Sequence, residues 1–120
     1  MGDTSVSSFK KLIVWQKSMV LVDEVYGITK HLGKEETYGL ISQMRRCAVS
    51  IPSNIAEGSG RTSRKDYALF LRNALGSSYE LETQLLIANS NFNGIETKRA
   101  DELLLEIQKM LTTIIKKLSV

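Results

Sequence analysis

The chain has little of the residue types that build most cofactor and metal sites. Its 120 residues include one cysteine, one histidine and one proline. A single cysteine cannot form an internal disulfide, and no apolar leader precedes the first helical segment, so we expect a reduced, cytoplasmic location. One histidine and one cysteine cannot build a structural zinc site within one chain. We therefore expect no metal and no cofactor.

Long apolar runs and a catalytic constellation are absent as well. Apolar runs such as residues 19–22 are far shorter than the roughly 20 residues that span a bilayer, and we expect no membrane partner. Arg46 lies beside Cys47 and would lower the pKa of its thiol, but no base or orienting acid accompanies the cysteine. The sequence predicts a protein that is not an enzyme.

The sequence does contain four segments of helical period, with apolar residues at alternating spacings of three and four. They predict one all-α domain over residues 12–120, an antiparallel up-down-up-down four-helix bundle, behind a flexible segment at residues 1–11. The predicted core stripes are Leu12, Trp15, Met19, Val22, Tyr26 and Thr29; Ile41, Met44, Ala48, Ile51 and Ile55; Tyr67, Leu71, Ala74, Ser78, Leu81, Leu85 and Ala88; and Ala100, Leu104, Ile107, Leu111, Ile114 and Leu118.

The boundaries of the second and third helices also have sequence signals. Gly58 is well placed to stop the second helix, and Ser63 with Asp66 resembles a capping box that opens the third. Pro52 falls inside the second helix, where it removes a backbone donor and predicts a kink. We expect a simple kink; the alternative is that the kink turns the end of this helix, Glu57 to Arg61, toward a neighbouring chain.

The second helix has an apolar arc of roughly 160 degrees, which is wider than the roughly 100 degrees that one core face needs. Part of this arc is therefore predicted to contact another copy of the chain. Arg45 lies inside the arc, and a buried guanidinium needs a partner. We expect a carboxylate from the third helix, Glu80 or Glu82; the alternative is that the Arg45 side chain extends to solvent.

Positive charge is concentrated in residues 43–65. Glu57 is the one acid there, so the segment carries a charge of +4, while the rest of the chain sums to −1 and the whole chain to +3. The start of the third helix, behind Ser63, offers backbone N–H groups beside several of these cations, which is a favourable place for an anion. A solvated loop that only helps the helix to start is the alternative. The basic residues are Arg45, Arg46, Arg61, Arg64 and Lys65.

Residues 43–61 closely resemble the signature of the bacterial four-helix-bundle family known from rRNA intervening sequences, whose pattern approximates Q-M-R-R-A-A-V-S-I-P-S-N-I-A-E-G. Matches continue at residues 14–17, 36–40 and 76–85. Cys47 stands where the family has alanine. The family defines no catalytic residues, so Arg45, Arg46, Asn54, Glu57, Gly58 and Arg61 are carried over as signature positions only.

The resemblance implies a bundle that assembles into a ring-like homopentamer. The family is similar in fold to the accessory protein of diversity-generating retroelements, a basic pentamer that works with a reverse transcriptase and nucleic acid. Two functions follow as expectations. The first is a non-enzymatic oligomer that associates with RNA or DNA, RNA preferred, through Arg46, Arg61, Ser63, Arg64 and Lys65. The alternative is a scaffold for an acidic or polymerase-type protein partner.

Overall fold

The structure, a computed structural model, describes residues 4–119, which form four α-helices and no strand. The all-α prediction is confirmed. A 3-10 helix at Thr4–Lys11 lies within the segment predicted to be flexible, and residues 1–3 lie outside the described part of the chain. The helices are α1 (Ile13–Thr29), α2 (Ser42–Ser59), α3 (Arg64–Asn91) and α4 (Lys98–Leu118), and a short 3-10 helix (Lys34–Glu36) and a π-helical turn (Thr37–Ile41) join α1 to α2.

Each helix packs against two others, so the four form a closed ring around one core. α2 lies between α1 and α3, and α4 lies between α3 and α1. Leu21, Ile51, Leu81 and Ile107, one from each helix, are fully buried at the centre. Burial of each such side chain contributes about 1.5–3 kcal/mol, which is why a chain without disulfides can hold this fold.

Two ion pairs join α1 to α4, and the pair that comes later along α1 comes earlier along α4. The Lys17 ammonium lies 3.1 Å from a Glu106 carboxylate oxygen, while Glu24, further along α1, lies 3.4 Å from Arg99, near the start of α4. The order of these contacts is consistent with the predicted up-down-up-down arrangement. That arrangement and the kink at Pro52 stay predictions.

The core face of α1 differs from the predicted one by one residue. Of the predicted stripe, Thr29 is buried, and Leu12, Trp15 and Val22 pack against the core while half-buried. Met19 and Tyr26 are 42% and 38% exposed. α1 carries apolar residues on most of its circumference, so two stripes with the same spacing fit it equally well from sequence. A shift of one residue turns the buried face by about 100 degrees. The buried residues are Val14, Ser18, Leu21, Val25, Ile28 and Thr29.

The other three stripes are buried as predicted. All five stripe residues of α2 and its preceding turn are buried, as is every stripe residue of α3 except the half-buried Tyr67. In α4 the first four stripe residues are buried, and Ile114 and Leu118 pack against the core while partly exposed. Polar residues separate the apolar ones clearly in α2 and α4. α3 has apolar runs at residues 67–71 and 85–88, but its predicted stripe keeps heptad spacing along the whole helix.

The wide apolar arc of α2 is filled largely from within the same chain. Pro52 is buried, and Val49 alone among the large apolar side chains of α2 is substantially exposed, at 41%. α2 packs against α1, α3 and the N-terminal 3-10 helix, and three neighbours need a wider face than one. The width of the arc therefore does not require a second chain.

Candidate nucleic-acid interface

The loop between α2 and α3 and the first turn of α3 together carry four of the five predicted anion-binding residues, Arg61, Ser63, Arg64 and Lys65. α3 starts at Arg64, and its N-cap Ser63 is extended, with its hydroxyl accepting a hydrogen bond of 3.0 Å from the Asp66 backbone N–H. The predicted cap is confirmed. One orphan donor of the helix start is thus satisfied by the protein, and the Asp66 carboxylate adds negative charge beside it. Lys65 is exposed next to this turn.

Arg61 is held in place by two contacts. Its guanidinium donates a hydrogen bond of 2.7 Å to the Glu57 carboxylate and lies 4.7 Å from the centre of the Phe70 ring. Both members of the ion pair are exposed, so the pair contributes only about 0–1 kcal/mol. An arginine has five N–H donors. Arg61 can therefore keep Glu57 and still donate to a phosphate.

Gly58 lets α2 and α3 approach closely below this loop. A Cβ added at Gly58 would stand 2.7 Å from the Cβ of Phe70 and 3.1 Å from a ring carbon of Tyr67. α2 continues one residue past Gly58 and is capped at Gly60. The prediction that Gly58 stops the helix is wrong. Gly58 lies inside α2, where its missing side chain allows the close contact with α3. This packing positions the Phe70 ring under Arg61.

Arg46 does not join the loop. It lies fifteen positions before Arg61 on the α2 side, which at 1.5 Å per residue corresponds to roughly 22 Å. Its side chain is exposed and lines a groove between α2 and α3 together with Glu80 and Gln84. Arg46 and the loop were predicted to form one anion-binding surface, but they lie at two separate places on the molecule.

Arg45 meets neither of the two expected carboxylates. Its Nε donates a hydrogen bond of 2.9 Å to the Thr29 hydroxyl, and its guanidinium lies 4.5 Å from the centre of the Tyr26 ring. Glu82 instead accepts a hydrogen bond from Gln108 of α4. The prediction of Glu80 or Glu82 is wrong because this side of α2 faces α1 rather than α3. The half-buried guanidinium is accommodated by a hydroxyl and an aromatic face.

Asn54 connects the signature segment to α3 through a serine. Its side-chain amide donates to the Ser50 carbonyl at 2.9 Å and to the Ser50 hydroxyl at 3.0 Å. The Ser50 and Ser77 hydroxyls lie 2.8 Å apart in a hydrogen bond between the two helices. Asn54 thus orients the hydroxyl that bridges α2 and α3.

In the predicted up-down-up-down arrangement, two further pairs of lysines come to the same end of the bundle as the loop. Lys10 and Lys11 end the 3-10 helix that packs on α1 and α2. Lys116 and Lys117 lie in the last turn of α4, which runs opposite to α1 by the order of its ion pairs. The sequence shows these pairs, but only the fold joins them to the loop. We call the set the basic end: Lys10, Lys11, Arg61, Arg64, Lys65, Lys116 and Lys117.

The opposite end of the bundle has a different character. A groove there, beside the turn between α3 and α4, is lined by Asp23, Glu24, His31 and Glu96. Glu24 is already paired with Arg99. Within residues 4–119, no three histidine, cysteine or acidic side chains are arranged to hold a metal ion. The charge of the molecule is therefore uneven along its length.

The surroundings of Cys47 disfavour its thiolate form. Burial raises its pKa above the usual value, and the Glu80 carboxylate acts in the same direction. A hydrogen bond from Gln84 and the charge of Arg46 favour the thiolate but are outweighed. Arg46 does act to lower the pKa of Cys47, as predicted, but the net shift of this pKa is upward.

The structure is a small all-α bundle, and the predicted arrangement of its helices would concentrate lysines and arginines at one end. Within residues 4–119, no helix is long and apolar enough to cross a membrane. The family model of the 23S rRNA-intervening sequence protein matches residues 10–116, which is nearly the whole chain. The chain belongs to this family. No curated protein matches it.

Proposed function

We propose that the protein is a non-enzymatic homo-oligomer that associates with nucleic acid, with RNA preferred, through its basic end. The observation that carries the proposal is that three separate segments of the chain hold seven lysines and arginines, which the up-down-up-down arrangement brings to one end of the bundle. Glu57 and Asp66 are the acids among them. Such a field attracts phosphates without requiring sequence-specific contacts.

The family name is the reason for preferring RNA over DNA. The matching model describes a 23S rRNA-intervening sequence protein, a name that connects the family with RNA. Phosphate contacts alone do not separate the two nucleic acids, so this preference rests on the family and not on the shape of the basic end. A cytoplasmic location stays a prediction.

Two exposed apolar patches support self-assembly. The α1–α2 patch consists of Tyr26, Tyr38 and Val49, which are 38%, 97% and 41% exposed and line one shallow depression. The α3–α4 patch consists of Tyr79, Leu86 and Leu105, which are 51%, 62% and 54% exposed. Exposed apolar clusters of this kind mark interaction sites.

The positions of the patches favour a ring over a two-fold dimer. In the closed order of the four helices, the α1–α2 and α3–α4 sides lie opposite each other. Different patches on opposite sides pair head to tail, and head-to-tail contacts form a ring when the rotation closes. The number five comes from the family resemblance. A ring would repeat the basic end once for each copy and add up its attraction for phosphates.

A mobility-shift titration with single-stranded RNA and DNA at two salt concentrations tests the proposal. Binding should weaken steeply with salt, with a slope of log K against log salt of about −0.7 for each phosphate neutralised. The double variant Lys116→Glu, Lys117→Glu should bind more weakly and show a shallower slope. Lys30→Glu, Lys34→Glu, the same charge change away from the basic end, is the control. Absence of binding at low salt would sink the proposal.

The alternative function is a scaffold for an acidic or polymerase-type protein. The same basic end and the same apolar patches would fit such a partner, and nucleic acid would then be present only indirectly. Pull-down of partners from extract with and without nuclease separates the two. Capture that survives nuclease treatment, together with no direct shift of RNA, favours the scaffold.

A further inference from the structure

The groove between α2 and α3, remote from the basic end, has features of a separate binding site. It has a volume of about 380 Å³, within the range of small-molecule sites. Cys47 and Ser50 line it from α2, and Ser77 from α3. The Ser50 and Ser77 hydroxyls bond each other, so these two side chains are already satisfied.

One buried side chain in this groove is incompletely bonded. Gln84 is 9% exposed, and its Oε1 has no hydrogen-bond partner within the described residues. Its Nε2 donates to the Cys47 sulfur over 3.5 Å, a weak contact. Reversing the amide would exchange the two atoms and still leave one without a strong partner. A buried amide left in this way costs free energy that a ligand could recover.

Two opposite charges flank the same point without pairing. Arg46 and Glu80 both line the groove and both act electrostatically on Cys47. Within residues 4–119, neither is joined to the other or to another side chain in an ion pair. A phosphate would be repelled by Glu80, and an ammonium group by Arg46. The groove is suited to a neutral group with acceptors on one edge and donors on the next.

We propose that the groove binds a guanine base. Guanine offers O6 and N7 as adjacent acceptors for the Arg46 guanidinium, a pairing that arginine makes in two parallel hydrogen bonds. Its N1–H and amino group are adjacent donors, for which the Glu80 carboxylate and, once its buried amide turns toward the groove, the Gln84 Oε1 are acceptors. Adenine has no acceptor at the position of O6, and its amino group would point at Arg46. Cytosine and uracil could bond with only some of the three side chains Arg46, Glu80 and Gln84.

The proposal rests on the proposed function in one respect, since bound RNA would supply the base. Unpaired RNA is read through the exposed edges of its bases, so a guanine in a single-stranded stretch could enter the groove while phosphates nearby contact the basic end. The groove would then add base preference to an otherwise unselective contact.

Titration of the full-length protein with the four nucleoside monophosphates, followed by nuclear magnetic resonance, tests the proposal. Guanosine monophosphate should bind at least tenfold more tightly than the other three and shift the signals of Gln84 and Cys47. Glu80→Gln and Arg46→Lys should each weaken its binding at least tenfold. The matched control is Glu82→Gln, the same change two residues further along α3, where the carboxylate contacts Gln108 of α4.

Equal binding of all four nucleotides, or no binding at millimolar concentration, would overturn the guanine site. So would a drop in the mass of the assembly caused by Glu80→Gln, because the groove would then be a contact between copies. Failure of this test leaves the salt-sensitive shift of RNA by the basic end unaffected. Conversely, selective binding of guanosine monophosphate without any RNA shift would overturn the proposed function and keep the groove.

Discussion

Gly58 lies so close to Phe70 that a side chain at position 58 has no room. A Cβ there would stand 2.7 Å from the Cβ of Phe70, a separation that real Cβ atoms essentially never show. The contact joins the last turn of α2 to the first turns of α3 and carries the loop between them. A glycine in a helix costs about 1 kcal/mol relative to alanine, and this close approach explains why it is tolerated.

Gly58→Ala should therefore destabilise the protein although alanine is the better helix former. The expected loss is about 1–3 kcal/mol, the usual cost of overpacking, in the free energy of unfolding measured with urea. Gly76→Ala is the control, since a Cβ there meets nothing within 4 Å and should stabilise α3 by about 0.5–1 kcal/mol. If both variants gain stability, the close packing at Gly58 is not what fixes the glycine.

Arg45→Lys should destabilise the fold by about 1 kcal/mol, although it keeps the charge. Lysine cannot reproduce the Nε hydrogen bond to Thr29 together with the stacking of the planar group on Tyr26. A double-mutant cycle with Thr29→Val should give a coupling of about 0.5–1 kcal/mol. Arg46→Lys, at the neighbouring exposed position, should change stability by less than about 0.5 kcal/mol. Equal losses at positions 45 and 46 would contradict the assignment.

Cys47 should react slowly with iodoacetamide in the folded protein at neutral pH, because its pKa is raised by burial and the thiolate is the nucleophile. The rate should rise at a higher pH than it does in the protein unfolded by urea. Glu80→Gln should move this rise to lower pH, and Arg46→Gln should move it to higher pH. Shifts in the same direction for both variants would be inconsistent with the two charges flanking the thiol.

The same shift predicts the sign of a stability change. A group whose pKa is higher in the folded state stabilises the fold fully below its unfolded pKa, and this contribution is lost as pH rises through the folded pKa. Burial raises the pKa of Tyr67 as well. The free energy of unfolding should thus fall at alkaline pH, and Cys47→Ala with Tyr67→Phe should make the alkaline side of the profile flatter.

Self-assembly should be disrupted by Val49→Glu in the α1–α2 patch and, separately, by Leu105→Glu in the α3–α4 patch. Both positions are exposed, so the variants should fold, and light scattering should report monomers. Each variant keeps the patch that the other has lost. An equimolar mixture should therefore form dimers and nothing larger, because only one intact head-to-tail contact is possible. Asn73→Glu, an exposed position outside the patches, should leave the assembly intact, and full assembly of either patch variant would refute the head-to-tail contact.

The four helices could be predicted from their apolar periods, and the faces of α2, α3 and α4 were predicted correctly. Polar residues separate the stripe residues in α2 and α4, and the stripe of α3 keeps heptad spacing along the whole helix. α1 could not be oriented, because two stripes fit the same spacing equally well. One contains Val14 and Leu21, and the other contains Trp15 and Val22. Burial decides between them only once three other helices are in place. Sequence periodicity therefore located the helices reliably and oriented three of the four.

The candidate site was predicted less completely, since its residues come from distant parts of the chain. The cap at Ser63 is local and could be read directly. The partner of Arg45 depends on which helix lies beside it, and the sequence does not state that α1, rather than α3, covers that side. Lys10 and Lys117 are brought to one end of the bundle only by the order of the helices.

The uneven charge along the bundle makes each copy an electric dipole, with its positive pole at the basic end. Copies that stand side by side in a ring point these dipoles in the same direction, and parallel dipoles side by side repel. Dissolved ions screen this repulsion, just as they screen the attraction of the basic end for phosphates. Salt should accordingly act on the two processes in opposite ways, strengthening the assembly of copies while it loosens their hold on a polyanion.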